Sequence, residues 1–188
     1  MVGFYARMSY RHHPLSYQNT YFFTQRLRDP TSDVLVSYVD ILRQSVKLAR
    51  KRYPFEIRAA VILPATLHMI WELPAGDRDH AMRWRMIKSI FSRHLPEVAT
   101  PEQTKAMKRR GEKGIWTRGG WDHQIRDQAD YDLHEHLIIH APVTSGLVPT
   151  PKDWALSSLH LRGARPAILR GPAPMGALRP LRQGATAF

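Results

Sequence analysis

The chain of 188 residues contains no cysteine, which excludes disulfide bonds, thiolate metal sites and cysteine nucleophiles. It also has no apolar run long enough to span a bilayer, and its first residues show no apolar signal region. We therefore expect a cytoplasmic protein with no membrane partner. The hydrophobic content of 43% is enough for a sizeable core, and the length fits one domain with additional terminal segments.

Acidic residues are scarce relative to basic ones. The chain has 28 Lys and Arg against 16 Asp and Glu, which gives a formal net charge of +12. Such an excess favours a polyanionic partner, because each phosphate contact releases counterions, and nucleic acid is the leading candidate. Residues 1–16 form an expected basic arm that includes Arg11. Residues 159–188 have no acidic side chain, and we expect a flexible tail that is either a DNA tether or a remnant.

The apolar spacing between these termini predicts an α+β domain over residues 17–158. The predicted elements are a strand at 21–24, a helix starting at Ser32 or Asp33 and ending before Pro54, strands at 55–63 and 67–73, and a helix from Asp77 or Asp79 to about His94. The order β-α-β-β-α indicates a ferredoxin-like antiparallel sheet with helices on one face. A third helix is predicted from Asp127 to about His140, closed by Pro142 and Gly146.

The third predicted strand begins with two residues that bear on metal binding. Alternation along a strand sends Thr66 and His68 to the same face of the sheet. Two imidazoles at these positions would bind a divalent metal ion side by side, but only His68 is a histidine. His68 is therefore either a residual metal ligand, for Mg²⁺ or Mn²⁺ if any ion, or an ordinary polar residue of the sheet.

Several basic residues follow or surround the second long helix. We expect the helix face with Trp84, Ile87 and Phe91 to belong to the core. Residues 100–114 lack apolar periodicity and are expected to form a mobile basic loop that contacts phosphates. Trp116 and Trp121 either stack on unpaired bases beside Arg118 or complete the core. The expected nucleic-acid contacts are Arg11, Lys88, Arg93, Lys108, Arg109, Arg110, Arg118 and Arg126.

The third predicted helix carries three histidines, His134, His136 and His140. The spacing of His136 and His140 is compatible with a metal pair on one helix face. Glu135 points to another face, so no acidic ligand completes a site. We therefore expect a helix surface that faces solvent or DNA. Arg126 and Asp127 are expected to form a local ion pair, unless Arg126 contacts DNA.

Seven segments in one order resemble those of a known family. They are Tyr21-Phe22-Phe23-Thr24, Leu63-Pro64-x-x-Leu67-His68, Trp84-Arg85-x-Ile87-Lys88-x-x-Phe91-Ser92-Arg93, Gly114-Ile115-Trp116, Asp122-His123-x-Ile125-Arg126-Asp127, Pro142-Val143-x-x-Gly146-Leu147-Val148 and Asp153-Trp154-x-x-Ser157-Ser158. Together they resemble the REP-associated tyrosine transposases, which are IS200-like single-strand transposases. The resemblance covers roughly residues 17–158.

The resemblance implies a ferredoxin-like fold, a divalent metal bound by a His-hydrophobic-His strand, and a helix-borne tyrosine that forms a 5′-phosphotyrosine link with DNA. The implied substrate is single-stranded DNA folded into hairpins at repeated extragenic palindromes. Two of the implied catalytic positions differ here. Thr66 stands at the first histidine, and Leu137 stands at the nucleophile position, with Ala141 in place of the family's asparagine. Tyr131 lies six residues earlier, about 120° around the helix, and is expected to point elsewhere.

These features predict a protein that binds hairpin or single-stranded DNA and has lost strand cleavage and transposition. No catalytic residue is intact in this interpretation, and His68 is the residual metal ligand. One alternative is an active transposase with a displaced nucleophile or one supplied by a partner subunit. The other is a repurposed RNA- or protein-binding module.

Overall fold

The computed structural model describes residues 17–161, so the expected basic arm with Arg11 and nearly all of the expected tail lie outside the described part. Four strands form one antiparallel sheet in the order β2-β3-β1-β4. The strands are β1 (Thr20–Arg26), β2 (Glu56–Ile62), β3 (Thr66–Glu72) and β4 (Trp121–Gln124). The expected α+β class and antiparallel sheet are confirmed.

Five α-helices and four 3-10 turns accompany the sheet in the described residues. The helices are α1 (Val34–Ser37), α2 (Val39–Arg52), α3 (His80–His94), α4 (Lys105–Arg109) and α5 (Gln128–Thr144). The 3-10 turns are Tyr17–Asn19, Glu97–Ala99, Pro151–Asp153 and Ser158–Leu161. Over residues 17–161, no helix is both long and apolar enough to cross a membrane.

Strand β1 lies inside the sheet and sends alternate side chains to two different layers. Phe23 contacts the rings of Trp71, at 4.7 Å between centroids, and of Trp84 on α3, at 5.6 Å. Its neighbour Phe22 contacts His134 on α5, at 4.7 Å. Because adjacent residues of a strand face opposite sides, α3 and α5 cover opposite faces of the sheet. The expectation that the helices lie on one face of the sheet is confirmed for α3 and for α2, which packs against it. Helix α5 lies on the opposite face.

The core residues predicted on α3 are confirmed. Trp84, Ile87 and Phe91 are at most 5% exposed. Trp84 stacks on Trp71 with ring centroids 4.3 Å apart and an interplanar angle of 18°. Large aromatic surfaces buried in this way contribute much of the stability of a small core.

Strand β2 lies at an edge of the sheet, and the segment after α5 covers it. The main-chain N–H of Ile62 donates to Leu156 O at 2.9 Å, and the indole of Trp154 donates to Ile62 O at 2.9 Å. A bridge between Val61 and Ser157 continues this pairing. Covering an exposed edge satisfies its hydrogen-bonding groups and prevents pairing with other chains.

Two expectations from the sequence are wrong: that residues 100–114 form a loop, and that the third predicted helix ends at about His140. Residues 100–114 contain α4, which is capped by the Thr104 side chain and buries Met107. One apolar residue gives no periodicity, so this helix left no signal in the sequence. Helix α5 runs past Pro142 to Thr144, and Gly146 follows with a φ of +68°. Pro142 lies near the end of α5, so its missing N–H and the crowding from its ring disturb only the last turn. Gly146 then adopts the left-handed conformation that commonly ends a helix.

Arg83, one of the basic residues of α3, is buried. It is 2% exposed and makes an ion pair with Asp77, with Arg83 Nη2 2.6 Å from Asp77 Oδ2. It also donates to the carbonyl oxygens of Pro54 and Asp79, each at 2.8 Å. The hydrogen bond from Arg83 lowers the pKa of the Asp77 carboxyl below its usual value. Arg83 thus joins the start of α3 to the chain that enters β2.

We predict that Arg83→Met lowers the free energy of unfolding by about 3 kcal/mol, because it leaves Asp77 and two carbonyls without a buried donor. Urea unfolding followed by circular dichroism measures this change. The matched control is Arg85→Met on the exposed side of the same helix, which is expected to change stability by less than about 0.5 kcal/mol. Equal effects of the two substitutions would contradict a structural role for the buried guanidinium.

Candidate functional site

The face of the sheet under α5 contains His68. In the β1–β3 register Thr24 lies opposite His68 and Arg26 opposite Thr66, so these four residues share one face. The prediction that Thr66 and His68 face the same side is confirmed. Thr24 Oγ1 lies within hydrogen-bond distance of His68 Nδ1, at 2.9 Å. Burial, and secondarily the charge of Arg26, lowers the pKa of His68 to about 4.

The residues around His68 do not fit the divalent metal that the family implies. Thr66 offers a neutral hydroxyl where a second imidazole is needed, and hydroxyl oxygen is a poor substitute for nitrogen at a transition metal. Ala141 on α5 has no side-chain donor atom. Thr66 and His68 therefore form a poor site for such an ion.

The nucleophile position of the family falls on a half-exposed part of α5. Leu137 is 42% exposed. Tyr131 is 9% exposed and its hydroxyl lies 3.5 Å from a Glu135 carboxylate oxygen. Tyr131, which the sequence expected to point away from the nucleophile position, is therefore packed in the core.

A second group of titratable residues lies on the same face of the sheet, where β4 meets α5. His123 Nε2 is 2.8 Å from Asp130 Oδ2, and His134 Nδ1 is 3.1 Å from Asp130 Oδ1. The main-chain N–H of Arg126 also donates to Asp130 Oδ2, at 3.0 Å. The two imidazole rings lie nearly parallel, with centroids 4.7 Å apart. We call His123, Asp130 and His134 the β4–α5 cluster.

Asp130 is the charged centre of the β4–α5 cluster. Its side chain is 5% exposed, and an unpaired carboxylate at that depth would be costly. Burial raises the pKa of Asp130, but hydrogen bonds from His123 and from Arg126 outweigh burial and hold the pKa well below its usual range. Asp130 is therefore a carboxylate at neutral pH, with its negative charge directed at two imidazoles.

Aromatic rings connect the β4–α5 cluster with His68. Phe22 stacks on His68, at 5.8 Å, and contacts His134 on α5, at 4.7 Å. Trp121 stacks on His123, at 5.8 Å and 4°, and is 52% exposed. The sequence left open whether Trp116 and Trp121 stack on bases or complete the core, and the structure gives the two tryptophans different environments. Trp121 is open to solvent, whereas Trp116 packs against Phe91 in the core.

The loop before β4 gathers three of the predicted nucleic-acid contacts. Lys88 Nζ donates to Gly119 O at 2.9 Å and lies 5.4 Å from the Trp116 ring centroid. Burial lowers the pKa of Lys88 to about 8. Arg110 and Arg118 both reach Glu112, at 2.8 Å and 3.3 Å. These contacts place the cations of the loop near one another, and Glu112 partly neutralises them.

The other predicted contacts within residues 17–161 are separate. Arg93, Lys108 and Arg109 are exposed on α3 and α4. Arg126 is 75% exposed, and its Nε lies 3.2 Å from Asp130 Oδ2. The expected ion pair between Arg126 and Asp127 is wrong, because Arg126 pairs with Asp130 instead. The Asp127 side chain caps α5 by accepting a hydrogen bond from the N–H of Asp130.

The sequence reasoning missed the β4–α5 cluster. It placed His134 on a surface facing solvent or DNA, but His134 is 8% exposed. It also considered Glu135 as the acidic neighbour, whereas Asp130 is the residue one turn before His134. The spacing of Asp130 and His134 by four residues was a readable signal for a contact on one helix face. Nothing in the sequence spacing indicates His123, which comes from a different element.

The chain is similar to two transposases over most of its length. A REP-associated tyrosine transposase relative from Haemophilus influenzae is 39% identical over 140 residues, which cover 74% of this chain and 79% of the relative. The REP-associated tyrosine transposase of Escherichia coli is 37% identical over 146 residues, covering 78% and 79%. No protein-family model matches the chain. A solved structure of a REP-associated tyrosine transposase bound to a REP hairpin aligns with a TM-score of 0.65 and 34% identity, covering 88% of this chain and 93% of that one.

We predict that His68 makes the folded state less stable as the pH falls from about 6.5 to about 4. In this window the unfolded chain binds a proton at residue 68 and the folded chain does not, so up to about 3 kcal/mol of stability present above pH 6.5 is lost. Urea unfolding between pH 4 and 7.5 should show a flatter pH dependence for His68→Gln than for the unsubstituted chain. His136→Gln removes an exposed histidine and should keep the original slope; an unchanged slope in His68→Gln would contradict the prediction.

Proposed function

The chain belongs to the REP-associated tyrosine transposases, and from this we infer that it binds hairpin-forming or single-stranded DNA without cleaving it efficiently. The observation that supports the binding half is the similarity to a transposase solved with a REP hairpin, at 34% identity over 88% of this chain. The net charge of +12 supports a phosphate-rich partner. A DNA partner and a chain without cysteine are also consistent with a cytoplasmic location.

Two replaced positions support the loss of cleavage. Covalent attack on a phosphodiester needs a nucleophile with an ionisable hydroxyl, and Leu137 has none. Metal-assisted attack also needs an ion held beside the phosphate, and Thr66 with His68 is a poor site for one. The two positions lie on different elements, β3 and α5, so a single local change does not account for both. Tyr131, in the core beside Glu135, is unsuited to replace the nucleophile.

Exposed basic side chains on α4 and in the loop before β4 support phosphate binding. Lys108 and Arg109 on α4 and Arg118 in the following loop are exposed. Such side chains contact phosphates without reading sequence, and each contact adds to the salt dependence of binding. Lys88 is a weaker candidate, because its ammonium group already bonds Gly119 O and is partly desolvated.

Trp121 provides an exposed aromatic surface for an unpaired base. Its indole is 52% exposed and is supported from below by His123 and Phe22. An aromatic ring held in this way offers one flat face to a base, and such stacking contributes roughly 1–3 kcal/mol per base.

We predict that a DNA hairpin with a single-stranded flank binds this protein in a salt-dependent way. Fluorescence anisotropy over 50–300 mM salt should give a steep negative slope of log K against log salt. The Lys108→Ala/Arg109→Ala pair should reduce that slope by about one to two, whereas Lys47→Ala, an exposed lysine of α2 that is not among the predicted contacts, should leave it unchanged. Binding without salt dependence would contradict the proposed contacts, and an RNA hairpin that competes better would favour an RNA-binding module.

We predict no covalent protein–DNA adduct after incubation with the same DNA and Mg²⁺ or Mn²⁺. A denaturing gel with end-labelled DNA measures this, and a family member that retains both histidines and the tyrosine serves as the positive control. An adduct formed by this chain would show that another nucleophile is used. Mass spectrometry of the adduct would then identify the residue.

A further inference from the structure

The β4–α5 cluster is independent of the strand site discussed for the family. His123 comes from β4, while Asp130 and His134 come from successive turns of α5. One nitrogen or oxygen atom from each side chain can be chosen so that all three lie within 4.8 Å of one another. His68 is not part of the group, and the ring of Phe22 contacts both His68 and His134.

We propose that His123, Asp130 and His134 bind a divalent first-row transition metal ion, with Zn²⁺ as the representative ion. Two imidazoles and one carboxylate form a donor set typical of such ions, whereas Mg²⁺ prefers oxygen ligands throughout. Ligand atoms of a bound Zn²⁺ lie about 2.0–2.2 Å from the metal, so the three atoms need only small side-chain rotations to converge.

The environment of Asp130 supports coordination. His123 Nε2 lies 2.8 Å from Asp130 Oδ2, and a bound ion would replace this hydrogen bond with bonds from both side chains to the metal. The N–H of Arg126 would also orient the carboxylate as an outer partner. His134 Nδ1 lies 2.8 Å from the main-chain oxygen of Asp130, a contact that fixes the imidazole ring against α5.

The site would also be accessible. His134 and Asp130 are nearly buried, with side chains 10% and 5% exposed, but the His123 side chain is 26% exposed. An ion would therefore enter from the side of His123 and Trp121. Three protein ligands leave at least one coordination position for water or for an oxygen atom of a bound molecule.

Two other arrangements account for some of the same observations, and the experiment separates them. The cluster could be a hydrogen-bonded network in which the imidazoles only compensate the charge of Asp130. Alternatively, His136 and His140 could bind the ion instead, because they are one turn apart on α5 with ring centroids 4.1 Å apart.

Isothermal titration of the full chain with Zn²⁺ alone, and with Mg²⁺ alone as a comparison, tests the proposal without DNA. We expect one Zn²⁺ site per chain that His136→Asn/His140→Asn retains within about threefold. His123→Asn is expected to weaken this site at least tenfold, and Mg²⁺ should not compete. Circular dichroism and thermal melting establish that each variant is folded. Failure of DNA binding would leave these results unaffected, so the two proposals fail separately.

A second measurement needs no substitution of a ligand. Co²⁺ added to the His136→Asn/His140→Asn variant should quench tryptophan fluorescence in a saturable way, and Zn²⁺ should reverse the quenching. Adding Trp121→Phe should remove most of that signal, because Trp121 stacks on His123. The proposal is overturned if Zn²⁺ affinity is lost with His136 and His140, if it is unchanged in His123→Asn, or if Co²⁺ causes no quenching that depends on Trp121.

Discussion

The position of β1 inside the sheet is the constraint on which the other features depend. Paired with β3 on one side and β4 on the other, it has no free edge and must bury both faces. Phe22 and Phe23 are each at most 1% exposed, although they point in opposite directions. Two hydrophobic faces require two covering layers. Helices α2 and α3 form one layer, and α5 forms the other. The layer under α5 is the one that contains His68 and the β4–α5 cluster.

The layer under α5 contains several polar and titratable side chains, although it is packed against the sheet. His68, Asp130 and His134 all lie against or between aromatic rings, and each has a hydrogen-bond partner there. Burying a charge is tolerated when donors surround it, and the short hydrogen bonds to Asp130 meet that requirement. The same short bonds connect β4 with α5, so the electrostatics of the cluster also help to position the helix.

Thr66 and Leu137 both lie at positions that contribute little to the core. Leu67, Met69 and Ile70 of β3 are completely buried and pack in the core, whereas Thr66 is only partly buried. Leu137 is likewise half-exposed on α5. Substitutions at such positions cost little in packing, because the fully buried residues of the same elements contribute most of the folding energy. The fold therefore tolerates different side chains at positions 66 and 137.

The sequence alone determined the order of the elements from β1 to α3, the paired strands around Pro64, the core face of α3 and the family resemblance, because each depends on local periodicity or on segments in a fixed order. It also gave the expectation that Thr66 and Leu137 stand where the family has a histidine and a tyrosine. The tertiary structure decided that α5 lies on the opposite face from α3, that Arg83 is buried, that Trp121 is open while Trp116 is not, and that His123 meets Asp130 and His134. These contacts join residues from separate elements, and their distances depend on how layers pack, which local spacing does not encode.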